Sequence, residues 1–293
     1  MIQERYETHR TARNAQQKAA ILSDSFEGWK LDPVLTKLDG PPGLRDPEFE
    51  DPRNCLVFWA RPPTHVRSLI SQIQQKLKAV APGLWLMPLG NLHMTAMEVT
   101  HSLTAPEIHE LVTRLRIDDQ HKAIADIPSQ PGKRVKLIRP MIGFDAAALA
   151  LSFVPCASED TNPASFTYHH LRRELYERIS DAGVKVASRY VVPSAHLTIA
   201  RFNSPNPFAA AGPDVLDASA GSNLESRKML MKWIEGVNDW LVNEHWQVAE
   251  NANAGMTWTV GEEKGLDFRK GTLWYGGGET IYLGQGINEP QSS

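Results

Sequence analysis

The chain of 293 residues has only two cysteines, Cys55 and Cys156. Both lie in or beside apolar segments, and their spacing suits no metal motif. They read as small buried thiols of a reducing compartment rather than as a disulfide framework. No run of 18 apolar residues occurs, so no helical membrane span is expected. The amino terminus, Met1-Ile2-Gln3-Glu4-Arg5, lacks the apolar core of a signal peptide, and a cytosolic or nuclear protein is expected. Charge of one sign is not in excess either. The net charge is -3 and the pI is near 6.4, which argues against a broad basic groove for long nucleic acid but leaves room for a small phosphate pocket with a few local cations. Apolar residues make up 42% and charged residues 22%, the balance of a globular chain with enough length for one bilobal domain or two smaller ones.

Several signatures of chemistry are missing as well. No Cys-x-x-Cys and no His-Glu-x-x-His occurs, so neither a structural nor a catalytic metal site is expected. His169-His170 are adjacent near a helix start and point to different faces. There is no Gly-x-Ser-x-Gly elbow for a serine hydrolase, no Walker loop and no dinucleotide fingerprint, and no cofactor is expected. The run Gly276-Gly277-Gly278 lies between strands, where a turn accounts for it.

What the chain does have is one short word written twice, His93-Met94-Thr95-Ala96 and His196-Leu197-Thr198-Ile199. With 10 histidines and 15 threonines, a Thr should follow two places after a His about half a time by composition alone. It does so three times. The third case, His9-Arg10-Thr11, lies in the polar, helix-like stretch Glu4 to Lys18 and lacks strand alternation. The other two sit inside apolar runs, Leu92 to Val99 and Ala195 to Phe202. In a strand, His and Thr share one face, while Met94 or Leu197 points into the core.

The order of elements repeats around these words. The first fifty residues read as an attachment, with a helix over Thr11 to Leu22 and turns at Asp32-Pro33, Pro41-Pro42-Gly43 and Asp46-Pro47. From Asn54 the pattern predicts a strand (Cys55 to Ala60), a helix (Val66 to Val80), a short strand (Leu84 to Met87), the strand with His93 and Thr95, a helix from Ala105 and a strand (Val135 to Phe144). It then predicts a strand (Leu149 to Val154), a helix (Phe166 to Ile179), a strand (Val184 to Val192), the strand with His196 and Thr198, and a helix (Arg227 to Trp246). Strands at Met256 to Val260, Phe268 to Tyr275 and Glu279 to Leu283 follow. Both halves read β-α-β-β-α-β with the His-x-Thr word on the third strand. The domain reading is an extension over 1–53 and a duplicated body over 54–293, with lobe one at 54–145 and lobe two at 146–285. Ser204 to Ser226, rich in Pro, Ala, Gly, Asn and Ser, reads as a mobile insertion, either a lid or an ordinary surface loop.

If the two faces converge, they supply a base, an acid and two hydroxyl donors around one phosphate. Imidazole works in both roles because its free pKa is ~6.5, and base and acid each contribute roughly 10²- to 10⁴-fold. Thr95 and Thr198 suit the non-bridging oxygens of a phosphate. Arg201 lies five residues after His196, so strict alternation puts it on the opposite face unless the strand twists or bulges. Lys136 and Arg139 are further candidate cations. Trp274 and Tyr275 could stack a base, although alternation sends them to opposite faces.

The arrangement resembles the two-histidine (2H) phosphoesterase superfamily, in its RNA 2′,3′-cyclic phosphodiesterase and 2′-5′ RNA ligase branch. His93, Thr95, His196 and Thr198 carry the resemblance, with Ala200-Arg201 also familiar from the second motif. It covers Asn54 to Leu283, and Leu273 to Leu283 resembles the closing strands of fungal cyclic phosphodiesterase-like members. Ala96 departs from the pattern, since a larger apolar residue is common there. The resemblance implies an α+β fold in which two pseudo-symmetric lobes of antiparallel sheet face a central cleft. It implies acid and base roles for His93 and His196, phosphate binding by Thr95 and Thr198, no metal, and a monomer acting on a nucleotide or RNA terminus with a cyclic phosphate. Two alternatives stay open at the level of sequence: a non-catalytic nucleotide or RNA-end binder, and an RNA end-joining ligase.

Overall fold

A computed structural model describes residues 2–156, 166–187, 193–210, 212–246 and 255–287. The protein is α+β, and its strands form two antiparallel sheets. The first sheet is built on β1 (Asn54–Ala60), which has β3 (Met94–Leu103) on one side and β8 (Asp267–Gly271) then β9 (Glu279–Leu283) on the other. The second has five strands in the order β2 (Trp85–Leu86), β6 (Ala195–Arg201), β5 (Ala148–Pro155), β4 (Val135–Phe144) and β7 (Thr257–Val260). Each sheet draws strands from both halves of the chain. The expected division into lobes at residues 145 and 146 therefore cuts across the sheets: β2 and β4 join the His196 sheet, and β8 and β9 join the His93 sheet.

Central position explains why β1 is apolar throughout. Leu56, Phe58 and Ala60 enter the main core, while Cys55, Val57 and Trp59 cover the opposite face with Leu273. Cys55 and Cys156 are both free thiols, the first buried and the second half-buried. Strand β5 alternates small with large residues. Leu149, Leu151 and Phe153 are buried on one side, and Ala148, Ala150 and Ser152 leave space on the other.

The helices form where periodicity and capping coincide. Helix α3 (Thr64–Val80) buries Leu69, Ile70, Ile73 and Leu77 along one stripe. Helix α4 (Ala105–Arg116) starts with a capping box between Thr104 and Glu107, and α5 (Gln120–Ala125) follows it. Helix α6 (Tyr168–Asp181) is capped through His170, whose Nδ1 accepts from the Thr167 amide at 3.1 Å. That gives His170 a structural task and separates it from His169. Of the predicted strand Val184 to Val192, residues 184–187 are not in a sheet and the remainder lies outside the described residues. Among the described residues, no helix is long and apolar enough to cross a membrane.

Two expectations are revised. The amino-terminal segment is part of the body, not an attachment. Helix α1 spans Ile2–Leu22, α2 spans Pro33–Asp39, and Tyr6, Ile21 and Trp29 belong to the main core. The described residues of Ser204 to Ser226 are anchored to the body, which fits the surface-loop alternative rather than a lid. Ser204 and Asn206 are buried, and the Pro207 carbonyl accepts from the Gly83 amide at 2.8 Å. The Gly221 carbonyl accepts from Trp29 Nε1 at 2.7 Å within α7 (Ala218–Gly221), which leads into α8 (Leu224–His245). Asn206 Nδ2 donates to the Asp214 carbonyl at 2.9 Å, so a polar side chain of this stretch satisfies its own backbone.

Candidate active site

Strands β3 and β6 approach each other between the sheets, and a cavity of about 520 Å³ opens there. His93, Thr95, His196 and Thr198 all line it. The two sequence words, 103 residues apart by number, thus meet in one space.

Local bonds set the direction of each imidazole. His93 immediately precedes β3, and its Nδ1–H donates to the Asn91 carbonyl at 2.7 Å. That bond fixes the proton on Nδ1 in the neutral ring and leaves Nε2 with a free lone pair. The ring stacks on Trp59 of β1, with centroids 3.7 Å apart and planes at 14°. Trp59 pairs directly with Thr95 across the sheet. On β6, His196 Nδ1 and the Ser194 hydroxyl lie 2.9 Å apart, and Ser152 is the cross-strand neighbour of His196. The His196 side chain is exposed and lines the cavity, so a ligand can reach it.

Both imidazoles are held towards the neutral form. Burial drives His93 down to about 3, against the Asn91 carbonyl, which favours the charged ring. The charges of Arg61, His196 and Arg269 lower it further. His196 is lowered first by the desolvating walls and then by Arg13, Arg172 and Arg201, while Asp145 pulls in the opposite direction.

Arg201 also lines the cavity, and the reason is a bulge. Along β5 and β6, Ala150 pairs with Thr198 but Leu149 pairs with Ala200, so Ile199 is the extra residue. The bulge resets alternation and returns Arg201 to the face of His196. Its guanidinium is loosely held, with Nη1 3.9 Å from Asp32 Oδ2 and, among the described residues, no hydrogen-bond partner for the buried Nε. Lys136 and Arg139 do not line the cavity.

Trp274 and Tyr275 do not line it either. The expected strand Phe268 to Tyr275 ends at Gly271, and the two aromatics occupy the turn beyond it. Arg53 stacks over Trp274 at 4.7 Å, and the Tyr275 carbonyl accepts from Asn91 Nδ2 at 3.2 Å. The Tyr275 backbone thus braces the Asn91 loop that holds His93, while the Tyr275 ring lies 5.7 Å from the Arg201 guanidinium and Trp274 stays exposed. Gly276 is needed for this approach: its φ is +88°, and a Cβ there would fall 2.2 Å from Asn91 Cβ.

The sequence reading missed one wall. Tyr6, His9, Arg10, Arg13 and Asn14 of α1 face the cavity. The available signal was their helical spacing at i, i+3, i+4, i+7 and i+8, obscured because these positions are mostly polar. His9-Arg10-Thr11 is helical, as its context indicated, yet His9 reaches the same cavity as the two strand words.

Comparison with family models finds no match, and comparison with curated proteins finds none. Among solved structures, the chain is similar to TT0787 of Thermus thermophilus at 16% identity, covering 52% of this chain and 76% of that one, with a TM-score of 0.36. It is similar to Usb1 of Kluyveromyces marxianus at 13% identity, covering 75% and 94%, with a TM-score of 0.32. For the same Usb1 with uridine monophosphate the values are 12%, 79%, 96% and 0.35. Likeness at this level transfers no chemistry, so the functional reading rests on the cavity itself.

Proposed function

We propose that this chain is a phosphodiesterase of the two-histidine type, which opens a 2′,3′-cyclic phosphate on an RNA end or small nucleotide without a metal ion. The observation that carries the reading is the convergence of both His-x-Thr faces on one cavity. His93 is the base. Its Nε2 takes a proton from water as the water oxygen bonds to phosphorus. His196 is the acid and donates a proton to the ribose oxygen as its bond to phosphorus breaks, leaving a phosphomonoester. Thr95 and Thr198 donate to the two non-bridging oxygens, whose charge grows as phosphorus becomes five-coordinate. Nucleotide binding without turnover would instead support the binder, and joining of RNA ends would support the ligase.

The test is turnover of uridine 2′,3′-cyclic phosphate in EDTA across pH. In the free enzyme the acid must be protonated, and its pKa is lowered. The alkaline limb of kcat/KM is therefore expected below pH 6.5. An anionic phosphate beside His196 favours imidazolium, so the alkaline limb of kcat should lie at higher pH than that of kcat/KM. No turnover in EDTA, or a kcat/KM that rises steadily through pH 8, would sink the assignment.

Gly276→Ala provides a test at a distance. The added Cβ must displace Asn91, whose carbonyl aligns His93. We expect a cost of about 1–3 kcal/mol in urea unfolding and a fall in kcat of up to roughly 10²-fold. Unchanged kcat would show that the Asn91 loop does not set the ring.

A further inference from the structure

The twin-histidine centre accounts for one phosphate, yet arginines outside it reach the same cavity. A cyclic phosphodiester carries one negative charge and two non-bridging oxygens, which the two threonine hydroxyls match. Three arginines, Arg10, Arg13 and Arg201, line the same space, while Asp145 is its only acidic lining residue among the described residues. Glu7 neutralises Arg10 through both carboxylate oxygens. Arg13 and Arg201, on different walls, each meet one carboxylate, Asp145 at 2.9 Å and Asp32 at 3.9 Å.

We propose that α1 forms a second phosphate subsite, centred on Arg13, that receives the phosphodiester on the 5′ side of the terminal nucleotide and so makes an oligonucleotide end the preferred substrate over a free mononucleotide. The inference rests on the phosphodiesterase reading and adds the substrate class.

Three observations carry it. First, Arg13 is presented from an anchored turn. Arg10 donates to the Arg139 carbonyl at 2.6 Å, and Asn14 Nδ2 donates to the Ile142 carbonyl at 2.8 Å, so the helix is pinned on either side of Arg13. Second, Arg13 is free to change partner. Its ion pair, Nη2 to Asp145 Oδ2 at 2.9 Å, is exposed, with side-chain accessibilities of 52% and 33%, and such pairs contribute little. Asp145 is itself fixed, because its Oδ1 accepts from the amides of Ala147 and Ala148 at 2.9 and 3.0 Å. Arg13 is therefore the member that moves. Third, α1 lines the cavity together with both His-Thr faces, and about 520 Å³ lies within the usual range of ligand sites. Arg13 and His196 also line the same cavity.

The experiment compares kcat/KM for uridine 2′,3′-cyclic phosphate and for the dinucleotide UpU ending in the same cyclic phosphate, with the unaltered chain, Arg13→Ala and Arg13→Lys. The unaltered chain should prefer the dinucleotide. In Arg13→Ala that preference ratio should fall about ten-fold, the worth of one charge-assisted contact. Arg13→Lys should keep part of it, since a point charge replaces the fork. The dinucleotide salt slope should become shallower by about 0.7 in Arg13→Ala. A ratio unchanged by Arg13→Ala overturns the proposal, whether both substrates suffer alike or neither does. So does an unaltered chain that prefers the mononucleotide. If the unaltered chain turns over neither substrate, the phosphodiesterase reading fails first and the subsite falls with it.

Discussion

His93→Ala and His196→Ala should each lower kcat for a 2′,3′-cyclic nucleotide roughly 10²- to 10⁴-fold, and the double variant should lose little more than the weaker single. Groups that act on one transition state as a unit are not additive: once the base is gone, an intact acid finds no developing charge to meet. The two substitutions differ structurally. His196 is open to the cavity, so its truncation removes no core contact. His93 is stacked on Trp59 and bonded to the Asn91 carbonyl, so its truncation leaves a gap beneath the ring position. His93→Gln is the companion variant there, since it fills more of the space and offers no base. Urea midpoints separate folding from chemistry. Both alanine variants retaining activity within two-fold, with folding intact, would remove the paired roles.

The twin words were legible because strand periodicity is strict. His and Thr two apart must share a face, and both copies follow the rule: Met94 and Leu197 are buried, and the four polar residues meet the cavity. The α+β class was legible for the same reason. Arg201 shows where that rule breaks, since a single extra residue at Ile199 reverses every face beyond it. A bulge has no reliable mark in one sequence, and nothing around Ile199 announces this one. The strand exchange was hidden too. Two residues of β2 suffice to pair with Arg201 and Ala200, which is too short a segment to reveal its sheet. Small residues at Ala148, Ala150 and Ser152 were a readable sign of a cavity floor, because a strand facing a packed core has no reason to alternate in size so regularly.

Helix α1 was obscured by chemistry, not by lack of pattern. Its site-facing residues are polar, so apolar periodicity could not show that the face is covered. Among them Arg10 holds the wall in place, and Arg10→Ala should cost about 3 kcal/mol or more in urea unfolding. The guanidinium is buried, with its side chain 7% exposed. Nε and Nη2 donate to Glu7, and Nη1 donates to the Arg139 carbonyl at 2.6 Å and the Ser152 carbonyl at 3.4 Å. Arg139 has a φ of +55°, beside the extra residue between Ile138 and Met141 on β4. A side chain in the left-handed region is strained, and the Arg10 bond is what its carbonyl gains there. Removing Arg10 strips Glu7 of its bidentate partner, leaving the 3.9 Å contact from Arg139 Nη1, and takes the donor away from the strained Arg139 carbonyl. Arg10→Lys keeps the charge but loses the fork, so it should recover only part of the stability. The neighbouring Arg13→Ala, at an exposed pair, should shift the urea midpoint by less than about 1 kcal/mol equivalent. Turnover should also fall in Arg10→Ala under conditions where the chain stays folded, because α1 bounds the cavity. Equal urea midpoints for Arg10→Ala and Arg13→Ala would mean that the helix is held by its apolar contacts alone, through Tyr6 and Ile21, and that the buried guanidinium is not its anchor.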